Sequence, residues 1–276
     1  MDIDEIAAAA AEADGTDPLD EATRLALRHH PERVRTLVRD SGFALEVGGE
    51  LTLVVHPDAR GRGVGGALLD EAMTGPTMTV LRAWSHGDHP AAAQLAAEHG
   101  LMRARELWVM RRPMSLPLPA PVTRDGVTVR GWTPADEAEL LRVNAAAFAA
   151  HPEQGQMDAA NLAERMAEPW FDPAGLLLAV DDGRDDQGDG DRLLGFHWTK
   201  QHSPELGEVY VVGIDPAAQG RGLGKLLTLA GLHHLAGKGV DEVLLYVESD
   251  NAAAVAVYAG LGFAHAPADT HVMYER

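Results

Sequence analysis

Short runs with the hydrophobic pattern of β-strands alternate with apolar helical runs over the second half of the chain. Val127-Thr128-Val129-Arg130 alternates apolar and polar side chains, which is the period of a half-buried strand. Thr133-Pro134-Ala135-Asp136 then has the features of a helix start: a capping threonine, a proline at the first helical position and an acid in the first turn. The pattern beyond this point predicts helices to about 149 and over about 159–167, strands at 176–180, 193–200 and 208–214, a helix to about 236, a strand ending at 247, a helix from 251 and a strand near 270–274.

The first half of the chain has a shorter version of the same pattern. It predicts a helix over 1–14 and strands at 34–39, 43–47 and 51–55, followed by an apolar helix. No segment ahead of the first helix has a strand pattern, so we expect this half to lack an opening strand. Strands followed by helix–strand–helix–strand segments predict a mixed α/β sheet, with a cofactor entering where strands part.

One glycine-rich segment occurs twice. The first copy, which we call the first glycine loop, is His56-Pro57-Asp58-Ala59-Arg60-Gly61-Arg62-Gly63-Val64-Gly65, and the second glycine loop is Asp215-Pro216-Ala217-Ala218-Gln219-Gly220-Arg221-Gly222-Leu223-Gly224. Their prolines lie 159 positions apart (216 − 57). A strand, closely spaced glycines and a helix form a phosphate-binding layout, because backbone N–H groups converge on the anion and the helix N-terminus adds about half a positive charge.

Two common phosphate motifs do not match these loops. A P-loop needs Gly-Lys followed by Ser or Thr, but Gly224-Lys225 is followed by Leu226. The dinucleotide fingerprint needs G-x-G-x-x-G with an acid about twenty residues further on after a second strand, and neither requirement is met. The remaining alternative from the residues alone is a pair of unrelated glycine turns on surface loops.

The second glycine loop, Gln219-Gly220-Arg221-Gly222-Leu223-Gly224 after a strand and Asp-Pro, resembles the pyrophosphate loop of the GCN5-related N-acetyltransferases. A second segment typical of that family, residues 251–263, follows the strand Val243-Leu244-Leu245-Tyr246-Val247. The resemblance implies two tandem acyl-CoA N-acyltransferase domains of α/β class, each with a mixed, mostly antiparallel sheet flanked by helices. It also implies acetyl-CoA as the cosubstrate.

A proline-rich segment separates the two halves. Residues 112–121 contain four prolines, which cannot extend a helix or a central strand, so we expect an extended linker. The length of 276 residues also favours about two domains. We therefore expect an N-terminal domain over 1–112, a linker over 113–126 and a C-terminal catalytic domain over 127–276. The acidic, glycine-rich stretch 181–191 predicts a hairpin loop.

The composition of the chain limits its expected binding partners and its expected cellular location. The formal net charge of −19 disfavours nucleic acid and anionic membranes as partners. The acidic N-terminus, the absence of cysteine and the lack of a membrane-length apolar run lead us to expect a cytoplasmic protein. His29-His30 and His233-His234 do not have metal-site spacing, so we expect no metal. We further expect a monomer that acts on a small molecule.

The two copies differ at the positions where acetyl transfer needs an acid and a base. If Gly262 is matched with Gly100, Tyr258 corresponds to Ala96. With the glycine-loop offset, Glu208 corresponds to Gly49. We predict that Glu208 takes the amine proton and that Tyr258 protonates the leaving thiolate, since a phenol of ordinary pKa about 10 is protonated at neutral pH. The alternatives are a core aromatic for Tyr258 and a solvated strand-end acid for Glu208.

Several further blocks resemble the mycothiol synthases, a tandem-repeat group of the same family. The blocks are Leu141-Arg142-Val143-Asn144, His151-Pro152-Glu153-Gln154-Gly155, Trp170-Phe171-Asp172-Pro173, Leu194-Gly195-Phe196-His197-Trp198-Thr199-Lys200, Gly207-Glu208-Val209-Tyr210-Val211 and Leu245-Tyr246-Val247-Glu248-Ser249-Asp250-Asn251. Those enzymes use acetyl-CoA to acetylate the cysteinyl amine of a cysteine–glucosamine–inositol pseudodisaccharide. The resemblance implies the same final step of mycothiol biosynthesis for this chain.

The resemblance also implies the binding residues. Substrate contacts would come from Glu21, Glu153, Lys200, Glu208 and Tyr246. The acetyl-CoA used in catalysis would contact Val212, Gly213, Ile214, Gln219, Gly220, Arg221, Gly222, Leu223, Gly224, Lys225, Asn251, Ala252, Ala253, Ala254, Val255 and Ala256. A second acetyl-CoA, in a non-catalytic copy, would contact Leu53, Val54, Val55, Gly61, Arg62, Gly63, Val64, Gly65 and Gly66. The alternatives are an acetyltransferase for another small amine or a peptide N-terminus, and a non-catalytic acyl-CoA-binding module.

Overall fold

The computed structural model describes residues 2–39, 41–75, 78–149, 154–183 and 192–276. Its helices are α1 (Ile3–Asp14), α2 (Glu21–His29), α3 (Val64–Thr74), α4 (Pro90–Glu98), α5 (Glu137–Ala147), α6 (Ala159–Met166), α7 (Leu223–Lys238) and α8 (Ala252–Ala259). Its strands are β1 (Arg35–Arg39), β2 (Gly42–Val47), β3 (Glu50–Val55), β4 (Arg82–Ser85), β5 (Met102–Pro113), β6 (Val127–Gly131), β7 (Leu176–Asp181), β8 (Leu193–Gln201), β9 (Leu206–Ile214), β10 (Glu242–Glu248) and β11 (Ala264–Glu275). Over these residues, every helix is too short or too polar to cross a membrane.

The chain groups into two compact units, and the grouping is not contiguous in sequence. The first unit comprises Met1–Val109, Glu248–Asp250 and Ala266–Arg276, and the second comprises Met110–Val247 and Asn251–His265. Most of the final strand thus belongs to the first unit, because Val272–Glu275 pairs antiparallel with β4. The division into 1–112 and 127–276 remains our proposal for the repeats as sequence units.

The first unit is a sheet with helices on both faces. Strands β1, β2 and β3 pair antiparallel, β4 pairs parallel with β3, and β11 pairs antiparallel with β4. Ile6 and Ala10 of α1 pack on Phe43 and Leu45, and the apolar side of α3 packs on the opposite face. Each large apolar side chain buried in this way stabilises the fold by about 1.5–3 kcal/mol.

The second unit has a similar layout, and its strands β8 and β9 are longer, at nine residues each. Strands β6, β7, β8 and β9 pair antiparallel in sequence order, and β10 adds parallel to β9. Helices α5 and α6 cover one face, where Leu140 and Leu162 pack around Phe196 and Trp198. Leu223 and Leu226 of α7 pack on Leu194 at the other face. The predicted strands and helices of this half are present, with ends shifted by a few residues.

Two irregularities interrupt the second sheet next to the second glycine loop. The register of β8 against β9 shifts between Trp198, opposite Val211, and Thr199, opposite Val209, so that Tyr210 is a bulged residue. The parallel pairing of β9 with β10 covers Leu206–Val209 and does not continue along the described residues of β9 beyond it. Among the described residues, the C-terminal half of β9 therefore pairs with β8 alone, and no strand pairs with its other edge.

The proline-rich segment overlaps the end of β5 at Arg112 and Pro113. Strand β5 continues through Arg112 to Pro113, and the side chain of Arg112 is fully buried. Its guanidinium donates to the carbonyl oxygens of Leu261, Leu116 and Pro117 at 2.8–3.0 Å. A proline is tolerated at the end of a strand, so Pro113 can be the last residue of β5. The hydrogen bonds of Arg112 fasten the proline-rich segment to the end of this strand. Of the predicted acidic loop, residues 184–191 lie outside the described part of the chain.

Candidate active site

The second glycine loop has the backbone of an anion site. A short 3₁₀ turn, Pro216–Ala218, leads to Gly220 at φ +79° and Gly222 at φ +75°, and α7 begins at once. These left-handed conformations favour glycine. Among the described residues no side chain caps α7, so the N–H groups of its first turn remain for a ligand.

Asp215 and Arg142 fix the start of this loop. The buried Asp215 accepts hydrogen bonds from the backbone N–H of Ala217 at 2.9 Å and from Nη1 of Arg142 at 2.8 Å. The hydrogen bond from Arg142 holds the pKa of Asp215 below its ordinary value. Because both partners are satisfied locally, this pair positions the loop on α5 and is not available for proton transfer.

Two guanidinium groups lie at the second glycine loop. Nε of Arg124 donates to the carbonyl oxygen of Arg221 at 3.3 Å, and its Nη2 lies 3.0 Å from the position of a Cβ on Gly222. Nη1 of Arg221 lies 3.6 Å from Oδ2 of Asp181. Arg124 lies in the segment that the sequence predicts to be a linker, and no motif marks its proximity to the loop. Both cations can neutralise a bound phosphate.

The first glycine loop has nearly the same backbone. Gly61 and Gly63 have φ of +71° and +83°, and α3 follows without a capping side chain among the described residues. Arg60 ties the loop to α1 by a bidentate bond to Asp14 at 2.7 and 2.8 Å. The two loops therefore differ little in the geometry that would hold a phosphate.

The copies differ at the predicted acid and base. Glu208 lies within β9, whereas β3 is shorter at its start and Gly49 falls in the turn before it, at φ +87°. Tyr258 lies in α8, whereas Ala96 is a buried residue of α4. Neither position of the first unit carries a side chain that can exchange a proton.

Glu208 is a buried carboxylate beside a histidine. Only 5% of the residue is exposed, and its Oε2 lies 2.6 Å from Nε2 of His202. Lys200 faces it on β8, and Leu244 faces it on β10. Glu208 precedes the bulge at Tyr210 by two residues, so the two side chains share a face of the sheet close to the open edge of β9.

Lys200 lies in an aromatic group that sequence reasoning did not find. Its Nζ is 4.7 Å from the ring centre of Trp170 and 5.3 Å from that of Tyr210. These two rings are 5.1 Å apart in an edge-to-face arrangement. Nη1 of Arg165 donates to the Tyr210 hydroxyl at 2.6 Å. The face that carries Glu208 thus presents an ammonium, aromatic surfaces and a guanidinium, which suit a hydroxyl-rich ligand.

Tyr258 lies near the end of α8, whose first turn is capped by the Asn251 side chain accepting from the N–H of Ala254 at 3.1 Å. The tyrosine ring lies 6.0 Å from that of Phe263. Burial raises the pKa of Tyr258 to about 12, so the phenol is neutral and is a hydrogen-bond donor across the physiological range. Its predicted role as an acid requires this protonation state.

The other predicted contacts are spread over the two units. Tyr246 lies on β10 with 43% of the residue exposed, in the second unit with Lys200 and Glu208. Glu21 is the first residue of α2 in the first unit. Glu153 lies outside the described residues. His202 was missed because its alternation with Lys200 at the end of β8 becomes informative only once the strand register is known.

Comparisons with known proteins agree with the sequence resemblance. Residues 142–263 match the model of the acetyltransferase (GNAT) family. The chain is 66% identical to the mycothiol acetyltransferase of Nocardioides sp., covering 99% of this chain and 96% of that protein. It is 51% identical to the mycothiol acetyltransferase of Nocardia farcinica, covering 98% and 91%.

Solved structures share the fold at low identity. A tandem GNAT protein from the clavulanic acid biosynthesis pathway superposes with a TM-score of 0.69 at 22% identity, covering 99% of this chain and 92% of that one. A GCN5-related N-acetyltransferase from Sphaerobacter thermophilus gives a TM-score of 0.68 at 22% identity, covering 99% and 90%. The predicted fold class is therefore confirmed. The chain belongs to the mycothiol acetyltransferase family and is an N-acetyltransferase of the GNAT type.

Proposed function

We propose that the enzyme transfers the acetyl group of acetyl-CoA to the cysteinyl amine of a cysteine–glucosamine–inositol pseudodisaccharide, the final step of mycothiol biosynthesis. The observation that carries the proposal is the 66% identity, over nearly the whole of both chains, to a protein named mycothiol acetyltransferase. We further propose that the enzyme acts as a monomer in the cytoplasm.

The second glycine loop fits a pyrophosphate. Uncapped N–H groups of α7, two glycines of positive φ and the guanidinium groups of Arg124 and Arg221 lie together there. The cosubstrate supplies an acetyl thioester when it is bound. From Val211 to Ile214, β9 pairs with β8 on one edge, and its other edge has no strand partner among the described residues, so that edge can take the extended arm of such a ligand.

The face of Glu208 fits the acceptor. Glu208 takes a proton from the substrate ammonium, and the freed amine attacks the acetyl carbonyl carbon. The new N–C bond forms as the C–S bond breaks, and the nitrogen loses its second proton to solvent as the amide forms. Tyr258 gives its proton to the departing thiolate, so that coenzyme A leaves as the thiol, and the phenolate regains a proton from solvent. Lys200 and Arg165 can donate to sugar and inositol hydroxyls, while the rings of Trp170 and Tyr210 can cover their C–H faces.

The first glycine loop is proposed to hold a second acetyl-CoA without turning it over. Its backbone matches that of the second loop, but Gly49 and Ala96 provide neither a base nor an acid. Acetyl transfer would then take place only in the second unit.

A panel of amines tests the function. Purified enzyme and acetyl-CoA are incubated with the pseudodisaccharide, an aminoglycoside and a peptide with a free N-terminus, and products are identified by mass spectrometry. We expect a single acetyl group on the cysteinyl amine, with kcat/KM at least about 10²-fold above that for the other amines. Preferred acetylation of another amine would favour the broader acetyltransferase reading, and binding of acetyl-CoA without transfer to any amine would favour a non-catalytic module.

A further inference from the structure

His202 makes the shortest polar contact to Glu208 and has no place in the mechanism above. It follows β8 directly, and its Nε2 lies 2.6 Å from Oε2 of the carboxylate. Glu208 is buried, whereas a third of the His202 side chain is exposed. An ionised carboxylate can only accept, so Nε2 of His202 carries the hydrogen in the state in which Glu208 is a base.

The connection between β8 and β9 holds this histidine in place. The backbone N–H of His202 donates to the carbonyl oxygen of Leu206 at 2.9 Å. The hydroxyl of Ser203 accepts from the N–H groups of Glu205 and Leu206, each at 3.2 Å. His202 lies two residues beyond Lys200, so both side chains leave the strand toward the face of Glu208.

We propose that His202 is a positioning residue for Glu208. Its N–H holds Oε2 and thereby fixes the rotation of the carboxylate, so that Oε1 is the oxygen directed to the substrate ammonium. This inference rests on the proposed function, in which Glu208 is the base. A base must lie within hydrogen-bond reach of its proton, and a misplacement of about 1 Å can cost about 10²-fold in rate.

Steady-state kinetics of the full chain with the pseudodisaccharide and acetyl-CoA test the role. His202→Leu removes the donor, and we expect kcat to fall about 10-fold with the KM for acetyl-CoA unchanged. His202→Gln retains an N–H donor and should recover at least about a third of the lost rate. His233→Leu is the matched control, because His233 lies outside the proposed site and its Nε2 contacts the carbonyl oxygen of Pro119 at 2.9 Å; this variant should keep full kcat.

A double-mutant cycle separates positioning from a general effect on folding. In the Glu208→Gln background, His202→Leu should lower kcat by less than about 2-fold, because the carboxylate that it orients is gone. Equal losses in both backgrounds would overturn the proposal, as would full kcat in His202→Leu. A raised KM for the amine with unchanged kcat would also overturn it, because His202 would then contact the substrate.

The same experiment distinguishes a failure of the proposed function from a failure of the positioning role of His202. If the wild-type chain does not acetylate the pseudodisaccharide, the proposed function fails, and the cycle is repeated with the amine that the enzyme does accept. If Glu208→Gln lowers kcat while His202→Leu leaves kcat unchanged, only the positioning role fails. Thermal unfolding of each variant verifies that the compared proteins are folded.

Discussion

Burial alone does not identify the base, because the described residues of the second unit include two buried carboxylates, Glu208 and Asp215. Asp215 accepts from Arg142 and from a backbone N–H, and its pKa is lowered, so it is a poor proton acceptor. Glu208 has a histidine as its hydrogen-bond partner and shares a face with Lys200 and Tyr210. The hydrogen-bond partner of each carboxylate therefore decides whether it holds the loop in place or can accept a proton.

Replacing Glu208 with Gln should remove the base and preserve the shape of the side chain. We expect kcat/KM to fall by about 10²–10⁴-fold at neutral pH. The loss should shrink above about pH 8, because an α-amino group of ordinary pKa about 7.7–8.0 then loses its proton unaided. A pH–rate profile measures this, with Glu205→Gln as a control on the same hairpin. A profile parallel to that of the wild type would exclude Glu208 as the base.

Replacing Tyr258 with Phe should remove the donor to sulfur. A phenol of pKa about 12 is a weak acid toward a thiolate whose conjugate thiol has pKa about 8.5. We therefore expect a loss in kcat near 10²-fold, at the low end of the general-acid range, once chemistry is shown to be rate-limiting. Tyr274→Phe, another buried tyrosine with a raised pKa, should keep full activity. Full kcat in Tyr258→Phe would show that Tyr258 only packs against its neighbours and is not the acid.

At the scale of elements, α7 can approach β8 because Gly231 leaves room for His197. A Cβ on Gly231 would lie 2.0 Å from Cε1 of the His197 imidazole. This ring is fully buried, and its Nδ1 lies 2.8 Å from the carbonyl oxygen of Leu227. Burial lowers the pKa of His197 to about 4, so the ring is neutral at pH 7. A neutral ring must donate here, because the carbonyl accepts.

The same helix offers a matched pair of substitutions. Gly231→Ala should lower the free energy of unfolding by about 1–3 kcal/mol, because the added methyl displaces His197. Gly237→Ala meets no atom within 4 Å and should raise it by up to about 1 kcal/mol through helix propensity. Denaturant unfolding of both variants measures the difference. Equal stability of the two would contradict the packing described for α7.

Elements with a clear period could be predicted from the sequence, and short or non-periodic ones could not. Strands β7, β8 and β9 have the expected apolar runs, and the glycine loops mark the starts of α3 and α7. Strand β4 has only four residues, and the first helical turn of α4 is alanine-rich without a polar face. The pairing of the last strand with β4 depends on partners far apart in sequence, which local patterns do not encode.

The candidate site was predictable to a similar extent. The sequence directed attention to Glu208, Lys200 and Tyr258, because these residues differ between the copies or match the family. His202 and Tyr210 emerged only from the strand register and its bulge. Arg124 emerged only from the path of the segment before β6. Contacts that depend on strand register or on the path of a loop cannot be predicted from sequence motifs.

In the molecule as a whole, we propose that the two similar glycine loops both bind phosphate but serve unequal roles. Gly63 and Gly222 are equivalent N-caps with φ of +83° and +75°, so a side chain strains both backbones to a similar degree. A glutamate at either position would put charge and volume where a phosphate would bind. At Gly222 it would also meet Arg124, which lies 3.0 Å from the Cβ position.

The most direct test is the steady-state rate of pseudodisaccharide acetylation by Gly63→Glu and Gly222→Glu, with acetyl-CoA binding by each folded variant measured by calorimetry. We predict that Gly222→Glu loses turnover by at least about 10³-fold, whereas Gly63→Glu keeps most of its activity and loses only binding at the first loop. A folded Gly63→Glu variant as inactive as Gly222→Glu would contradict the assignment of chemistry to the second unit.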